Sequence, residues 1–230
     1  MCGRYTSTTS PADLAAYFQV DEVVSEDLGE RFNVAPTDPV YGVAASKDGT
    51  TRRLGTFRWG LVPFWAKDLS IGSRMINARA ESVLDKPAFR RPLERRRCII
   101  PADGFYEWEP VDGTKRKQPW YIRRRDGDVL SFAGLWDVWH PGDGPEGRVV
   151  SCAIVTTDAN DAVRPIHDRM PVVLPPDAWA QWLDPGFGDV DILRQLLVPA
   201  PAELFELVAV GTAVNDVKND GPHLLDRTDT

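Results

Sequence analysis

The stretch Cys98-Ile99-Ile100-Pro101-Ala102-Asp103-Gly104-Phe105-Tyr106-Glu107-Trp108 contains two strand-like runs in close succession. The first run, Cys98–Pro101, is apolar and is typical of a buried strand. The second run, Phe105–Trp108, is rich in aromatic residues, which favour strands. The residues between them are too few for a helical crossover, so the two strands are expected to be antiparallel.

The same pattern of short strands extends along the chain in both directions. Further strands are predicted at 31–36, 40–45, 54–63, 120–124, 129–136, 149–157 and 204–210, with 120–124 and 129–136 paired around the Asp126-Gly127-Asp128 turn. Helices are predicted at 11–18, 78–84, 158–163, 175–183 and 191–197, and a Gly/Pro loop at 141–147.

Strands outnumber helices, and their connections are short. The sequence therefore predicts an α+β fold, a single domain of mainly antiparallel, barrel-like β-sheet with a few short flanking helices. We expect this domain to span residues 1–222, followed by a polar tail at 223–230 that is either wrapped on the domain or loose.

The charge of the chain limits the kinds of partner it can bind. The 230 residues carry a net charge of −7 with a pI of about 5.0, which argues against wholesale binding of polyanions. Basic residues are nevertheless clustered at 90–91, 95–97, 115–117 and 123–125. An acidic protein with one basic groove can still hold nucleic acid, whereas solvated loop charges explain any single cluster equally well.

Several classes of protein are disfavoured by what the sequence lacks. It has no signal-peptide pattern and no apolar run of bilayer length, so we expect a cytoplasmic protein. Three distant cysteines do not make a disulfide framework, and three histidines with three scattered cysteines argue against a structural zinc site. The signatures G-x-G-x-x-G, P-loop, H-E-x-x-H, C-x-x-C and G-x-S-x-G are missing, so we expect no metal and no cofactor.

Cys2 directly follows the initiator Met1, and removal of Met1 makes it the amino-terminal residue. It then carries an α-amine with a pKa of about 7.7–8.0 beside a thiol with a pKa of about 8.5, so both groups are partly reactive near neutral pH. Such an aminothiol condenses with an aldehyde to an imine, and its thiolate then closes a five-membered thiazolidine on the same carbon. The competing interpretation is a small residue in a frayed terminus, which the following Gly3, Arg4 and Tyr5 disfavour.

Two titratable residues lie in segments suited to proton transfer. Burial of Glu107 in its aromatic run would raise its pKa and suit general acid/base chemistry, whereas strand alternation would equally well point it to solvent. His167 lies in a loop between Pro165 and Pro171, and an imidazole titrates near neutral pH. The alternative for His167 is a hydrogen-bonded structural histidine.

Three further residues have both a binding and a structural interpretation. Asn77 either caps the helix predicted at 78–84 or donates its amide to a reactive centre. Arg79 either pairs with a phosphate or forms a surface salt bridge. Trp65 is either a stacking platform for a base or a core residue, whereas Trp59 is expected in the core.

Several motifs that are weak one by one occur here in a fixed order. They are residues 1–5 (MCGRY), 32–36 (FNVAP), 58–63 (RWGLVP), 76–81 (INARAE), 104–108 (GFYEW), 166–171 (IHDRMP), 214–215 (VN) and 219–222 (NDGP). Together they closely resemble the SRAP family (SOS response-associated peptidase), whose members process abasic sites. The resemblance runs from Cys2 to about Pro222, nearly the whole chain.

The resemblance implies a protein of the DNA damage response that binds single-stranded DNA bearing an abasic site. It implies that Met1 is removed, that the Cys2 amine forms a Schiff base with C1′ of the ring-opened deoxyribose, and that the thiol closes a thiazolidine. The product is a covalent DNA–protein crosslink that shields the lesion. The Schiff base also permits a residual lyase activity. The protein is expected to act as a monomer and to join the nucleoid when it acts on DNA.

The motif match also implies residue roles. Asn77 positions Cys2 and the sugar, Glu107 shuttles protons, and His167 acts in opening the sugar ring. Contacts to DNA are implied for Arg79 and, by extension, for Arg4, Trp65, Pro36, Thr156 and Thr157. No metal, cofactor or membrane is implied.

Two other hypotheses compete with covalent capture of abasic sites. One is a thiol protease, a hydrolase in which Cys2 attacks an amide with its own α-amine as base and Asn77 donates to the oxyanion. The other is a non-covalent binder of single-stranded DNA. Cys2→Ser separates covalent capture from the protease, because a hydroxyl still attacks an amide but gives no stable thiazolidine.

Overall fold

The computed structural model describes residues 2–142 and 147–228. The strands are β1 (Tyr5–Ser7), β2 (Glu22–Val23), β3 (Arg31–Val34), β4 (Pro39–Ala45), β5 (Arg52–Trp59), β6 (Asn77–Arg79), β7 (Arg97–Ala102), β8 (Gly104–Pro110), β9 (Lys117–Arg124), β10 (Leu130–Trp139), β11 (Val149–Asp158), β12 (Arg169–Pro171) and β13 (Phe205–Ala209). The α-helices are α1 (Pro11–Tyr17), α2 (Pro87–Arg95), α3 (Trp179–Leu183) and α4 (Val190–Gln195). The loop predicted at 141–147 falls largely on residues outside the described ranges.

Five strands close into a barrel. Their order is β11-β10-β7-β4-β5, and β5 returns to β11 through a parallel pairing of Arg58 with Ser151 and of Trp59 with Cys152. The other four pairings of the ring are antiparallel. Strands β12 and β6 add to β11, and β2 adds to β5. The predicted α+β fold, a mainly antiparallel, barrel-like sheet with short helices, is confirmed.

A second, five-stranded antiparallel sheet has the order β13-β9-β8-β1-β3. Its strand β1 lies between β8 and β3, with Tyr5 opposite both Phe105 and Val34. The first residues of the chain are therefore held against the strand that contains Glu107.

Alternate residues of the barrel strands enter two different apolar clusters. Ile99 and Val155 belong to a cluster that includes Phe18 and Trp179 from the helical side. The neighbouring Ile100 and Ile154 belong to a second cluster with Tyr5 and Phe105 of the other sheet. This period of two is the pattern expected of strands that are covered on both faces.

The predicted pairing of 120–124 with 129–136 is wrong. Strand β9 pairs with β8 and β13, whereas β10 pairs with β7 and β11. Gly127 at φ 81° turns the chain from one sheet to the other. Ile122 of β9 and Phe132 of β10 then lie in the same buried cluster. Packing the two sheets face to face buries both side chains, which an exposed hairpin would not do.

The predicted helix at 78–84, with Asn77 as its cap, is also wrong. Residues Asn77–Arg79 form β6, which pairs in parallel with β11 at Ile154, Val155 and Thr156. Only a single 3-10 turn, Ala80–Ser82, follows. The backbone hydrogen bonds offered by the barrel outweigh the local helix preference of this segment.

Two other predictions are corrected: one strand is shorter than expected, and one helix is absent. The strand predicted to reach residue 63 ends at Trp59, because Gly60 turns the chain at φ 124° against the carbonyl of Gly72. The predicted helix at 158–163 is a turn in which the side-chain oxygen of Asn160 accepts from the backbone amides of residues 162 and 163.

The helix predicted at 175–183 is a 3-10 turn, Pro176–Ala178, followed by α3. The remaining predictions about local structure are confirmed where the structure describes them. Ser10 caps α1, and its hydroxyl accepts from the backbone amide of Asp13. The polar end of the chain packs on the domain, since Leu224 is buried and the backbone of Arg227 forms an isolated β-bridge with that of Val210. Among the described residues, no helix is long and apolar enough to span a bilayer.

Candidate active site around the amino terminus

Cys2 is fully buried and belongs to the apolar cluster between the barrel and the second sheet. Its fixed position follows from β1, because the backbone amide of Tyr106 donates to the carbonyl of Arg4 at 2.9 Å, two residues after Cys2. The interpretation of Cys2 as part of a frayed terminus is therefore wrong. Burial raises the pKa of the Cys2 thiol well above its usual value, and the charge of Glu107 raises it further.

Asn77 holds the backbone of Cys2. Its side-chain nitrogen donates to the carbonyl oxygen of Cys2 at 2.8 Å. Its side-chain oxygen is buried and has no hydrogen-bond partner among the described residues. The pairing of β6 with β11 fixes this side chain relative to the barrel. The amide therefore restrains Cys2 on one side and offers an acceptor on the other.

Glu107 is a buried carboxyl group with an exposed fraction of only 2%. It lies on β8 opposite Trp120 of β9. Burial raises its pKa to about 7, because the ionised form loses its solvation. The sequence left open whether this side chain faces solvent, and the structure shows that it does not. A carboxyl group with a pKa near neutrality can both give and take a proton at physiological pH.

His167 lies in the turn before β12, with its Nε2 3.9 Å from Oε2 of Glu107. The backbone N–H of Arg169 donates to Nδ1 at 2.9 Å, so Nδ1 is an acceptor and the neutral ring carries its proton on Nε2. Burial lowers the pKa of His167. The carboxylate of Asp168, 3.0 Å from Nδ1, opposes this effect. The result is a neutral imidazole that presents an N–H toward Glu107.

Arg169 anchors this turn, a role that sequence reasoning missed although the residue lies in the quoted motif at 166–171. Its guanidinium donates to both carboxylate oxygens of Glu81, at 2.6 and 3.0 Å, and to Asp158 at 2.7 Å. It also donates to the carbonyl of Thr156 at 2.8 Å. These bonds tie the His167 turn to the end of β11, and only the folded chain brings them together.

Three of the residues expected to contact DNA lie on β6 and β11, beside this centre. Arg79 is exposed at the end of β6, and among the described residues it forms no ion pair. Thr156 is its partner on β11 and is buried, with a hydroxyl that has no hydrogen-bond partner among the described residues. Thr157 is also buried. These threonines border the site through β11.

The other expected contacts are peripheral. Trp65 is 49% exposed, and Pro36 is half-buried. The Arg4 guanidinium donates to the side chain of Asn33 at 2.8 Å and to the carbonyl of Val214 at 2.9 Å. It therefore has a structural role in addition to any contact with a ligand.

Within residues 2–142 and 147–228, no three His, Cys, Asp or Glu side chains come together as a metal-binding group. The chemistry that the site offers comes from one thiol, one carboxyl group of raised pKa, one neutral imidazole and one amide.

Comparisons with known proteins give the family and the fold of the chain. The chain is 42% identical over 228 residues to the abasic site processing protein YoqW of Bacillus subtilis, which covers 98% of this chain and 99% of the relative. It is 35% identical over 206 residues to the abasic site processing protein HMCES of Gallus gallus, covering 80% of this chain and 60% of that relative. A crystal structure of a protein from Bacteroides thetaiotaomicron matches with a TM-score of 0.85 and 25% identity, over 99% of this chain and 100% of the other. The family model for SOS response associated peptidase (SRAP) matches residues 1–217, and the chain therefore belongs to the SRAP family.

Proposed function

We propose that this protein captures abasic sites in single-stranded DNA by forming a covalent thiazolidine between Cys2 and the ring-opened deoxyribose. The observation that carries the proposal is the hydrogen bond from Asn77 to the carbonyl of Cys2, which fixes the second residue of the chain beside a buried carboxyl group. The names of the relatives, which are abasic site processing proteins, support the substrate.

The first step needs a free amine and an open sugar. Removal of Met1 frees the α-amine of Cys2. The deoxyribose at an abasic site is a cyclic hemiacetal, and its ring oxygen must gain a proton as the C1′–O4′ bond breaks. His167 is suited to donate that proton, because its Nδ1 is occupied as an acceptor and its Nε2 carries the hydrogen. The anomeric hydroxyl loses its proton as the aldehyde forms.

The second step joins the protein to the sugar. The Cys2 amine adds to C1′ of the aldehyde, and loss of one water molecule leaves an imine. Glu107, with a pKa of about 7, can protonate the departing hydroxyl and then accept a proton.

The third step closes the ring. The Cys2 thiol is protonated at neutral pH, because burial and the Glu107 charge raise its pKa. Its sulfur adds to the imine carbon while its proton moves through Glu107 to the nitrogen. One C–S bond forms, the C=N bond becomes single, and no oxidant or reductant is needed. The product equals protein plus DNA minus one water.

The strand itself is held by charge and by stacking. We assign a phosphate contact to Arg79, whose guanidinium is exposed beside the site. Trp65 is exposed enough to stack on a base, and Pro36, Thr156, Thr157 and Arg4 complete the proposed binding surface. Contacts of this kind give affinity without sequence preference.

The family description also names a peptidase, and this is the competing function. In a peptidase, Asn77 would donate to the oxyanion of the scissile peptide. Here its amide donates to the carbonyl of Cys2 itself, which lies on the opposite side of Cys2 from the Met1–Cys2 bond. This geometry favours a role of Asn77 in positioning Cys2.

The test is the reaction of wild type and Cys2→Ser with a single-stranded oligonucleotide that carries one abasic site. Both proteins are analysed for Met1 removal and then by denaturing electrophoresis. We expect a heat-stable crosslink with wild type and none with the Met1-free serine variant. A serine variant that crosslinks as durably as wild type would refute thiazolidine formation.

A further inference from the structure

A basic groove lies where β11 begins, and none of its lining residues belongs to the Cys2 site. We define it by Lys47, Arg91, Arg95, Arg96, Trp136 and Arg148, which line a cavity of about 430 Å³. Among the described residues, no aspartate or glutamate lines it. In a chain with a net charge of −7, five cations around one cavity make a strong local excess of positive charge.

The groove is assembled from separate elements. Lys47 lies in the turn between β4 and β5, and Arg148 directly precedes β11. Arg91 and Arg95 both belong to α2, where their spacing of four residues puts them on one face of the helix. The fold therefore brings together cations that are distant in sequence. Because their charges have the same sign, these side chains repel one another.

Most of these charges are not neutralised within the part of the chain that the structure describes. There, Lys47, Arg91, Arg95 and Arg148 form no ion pair, whereas Arg96 pairs with Asp137. Arg96 also lies over the ring of Trp136, 5.4 Å from its centroid. The groove thus has an aromatic floor and four cations available to an anionic partner.

The groove is elongated and not a closed pocket. A second cavity of about 440 Å³ adjoins it and shares Lys47, Trp136 and Arg148 with it. Together the two cavities run past the ends of β4, β5, β10 and β11. A chain of phosphates fits an elongated basic surface better than a single small anion does.

The groove is also continuous with the aromatic pair that the proposed function assigns to DNA. The Arg91 guanidinium lies over the ring of Phe64, 4.9 Å from its centroid, and Phe64 directly precedes Trp65. Both aromatic side chains are about half exposed, at 52% and 49%. The backbone amide of Phe64 donates to Asp137 at 3.0 Å, the residue that pairs with Arg96. A strand that stacks on Trp65 therefore meets the groove next.

We propose that this basic groove binds the phosphate backbone of single-stranded DNA that flanks the lesion, as a second contact separate from the Cys2 centre. Arg148 directly precedes β11 and Thr156 lies near its other end, so eight residues at roughly 3.3 Å each separate them by about 26 Å. The inference rests on the proposed function, because Trp65, which that function assigns to DNA, links the two surfaces. Its contacts are lesion-independent and carry no sequence preference.

The test compares the binding of fluorescent, undamaged single-stranded DNA to wild type and to Arg95→Gln/Arg148→Gln. Two strand lengths are used: about 6 nucleotides, which is within the usual size of a single-strand binding site, and about 24 nucleotides, which exceeds it. We expect the long strand to bind wild type more tightly than the short one. The double variant should lose roughly 25-fold in affinity for the long strand at 0.1 M salt, and its salt slope should fall by about 1.4, the value for two lost phosphate contacts. Binding of the short strand should fall by less than this, because about 6 nucleotides can occupy the Cys2 site without reaching the groove.

The matched control is Arg125→Gln/Arg194→Gln, which removes the same charge at exposed positions outside the groove. It should bind the long strand within about twofold of wild type if the effect is local. Equal losses in the two double variants would mean that only net charge matters and would overturn the inference. Displacement of the long strand by polyglutamate of equal charge, as efficiently as by DNA, would assign the groove to an acidic protein and also overturn it.

A crosslinking assay on a short abasic strand distinguishes this inference from the proposed function. The groove variant should crosslink such a strand at the wild-type rate. If wild type fails to crosslink while the groove still governs binding of the long strand, the proposed function fails alone. If wild type crosslinks and the groove variant binds the long strand like wild type, the inference fails alone.

Discussion

Two regions of the molecule bury cysteine to the same extent but surround it differently. Cys98 and Cys152 lie in the barrel wall, and burial is the main reason that their thiol pKa values are raised. Cys2 is equally buried, yet its backbone is held by Asn77 and its thiol is influenced by Glu107. Burial by itself gives an inert thiol. Under the proposed function, the polar neighbours, and not the exposure of the sulfur, distinguish Cys2 from the two packing cysteines.

The largest effect should come from replacing the cysteines of the two regions by alanine. Cys2→Ala should abolish crosslinking to abasic DNA, because both the ring-closing sulfur and the stable product are lost. Cys98→Ala and Cys152→Ala should leave crosslinking per folded molecule unchanged and lower stability by about 1 kcal/mol each through small cavities. Denaturing electrophoresis and thermal melts measure both quantities. Loss of crosslinking in a folded Cys152→Ala protein would break the comparison.

The second effect concerns Glu107, whose charge acts on the Cys2 thiol. Glu107→Gln should slow crosslinking by about 10²- to 10⁴-fold, the range for removal of a positioned acid or base. The matched control is Glu109→Gln, on the same strand and face, whose carboxylate accepts from the indole of Trp120 at 2.8 Å. The control should crosslink at the wild-type rate. Equal rates in wild type and Glu107→Gln would remove the acid/base role.

The same substitution should change how stability depends on pH. The pKa of Glu107 is raised from 4.5 to about 7 by folding, so the native state binds more protons than the unfolded state between these values. Stability should therefore fall as pH rises through this window, by roughly 3 kcal/mol at about 1.4 kcal/mol per pKa unit. Urea unfolding of wild type between pH 4.5 and pH 7.5, compared with Glu107→Gln, measures the loss. A parallel dependence in both proteins would contradict a buried, protonated Glu107.

The third effect concerns Asn77. Asn77→Ala removes the hydrogen bond to the Cys2 carbonyl and should slow crosslinking by about 10- to 100-fold, because Cys2 is no longer held in one position. Stability should fall by only about 1 kcal/mol, the typical value of one hydrogen bond. Single-turnover rates at saturating DNA separate positioning from affinity. An unchanged rate with weaker DNA binding would assign Asn77 to the strand and not to Cys2.

The smallest effect should come from Arg79, at the exposed rim of the site. Arg79→Gln should weaken binding of single-stranded DNA about fivefold at 0.1 M salt and lower the salt slope by about 0.7, the value for one phosphate contact. The rate of crosslinking at saturating DNA should not change. Arg194→Gln, on α4, is the control of equal charge. Binding that is equal in the two variants would exclude a specific phosphate contact at Arg79.

The fold class and most strands could be predicted from the sequence, because apolar alternation and short connections are local signals. The pairing of β9 and β10 could not be predicted, since the chain buries Ile122 and Phe132 between two sheets and not across one hairpin. The segment at 77–79 has helix-compatible residues and becomes a strand only because β11 offers its edge. Long-range pairing of this kind leaves no mark on the local pattern.

The candidate site, like the fold, could be predicted from the sequence only in part. The chemistry of Cys2, Glu107 and His167 could be proposed from residue types and from the family resemblance. The burial of Glu107, the tautomer of His167 and the anchoring role of Arg169 depend on contacts between distant elements, such as the bonds from Arg169 to Glu81. No spacing in the sequence predicts those contacts.

The most direct test of the central claim is the intact mass of the protein before and after reaction with a single-stranded oligonucleotide that carries one abasic site. We predict a protein without Met1 that is converted to a species equal in mass to protein plus DNA minus one water, without any reductant. The same protein, free of Met1 and fully folded but giving no adduct, would contradict the account and turn attention to peptide substrates.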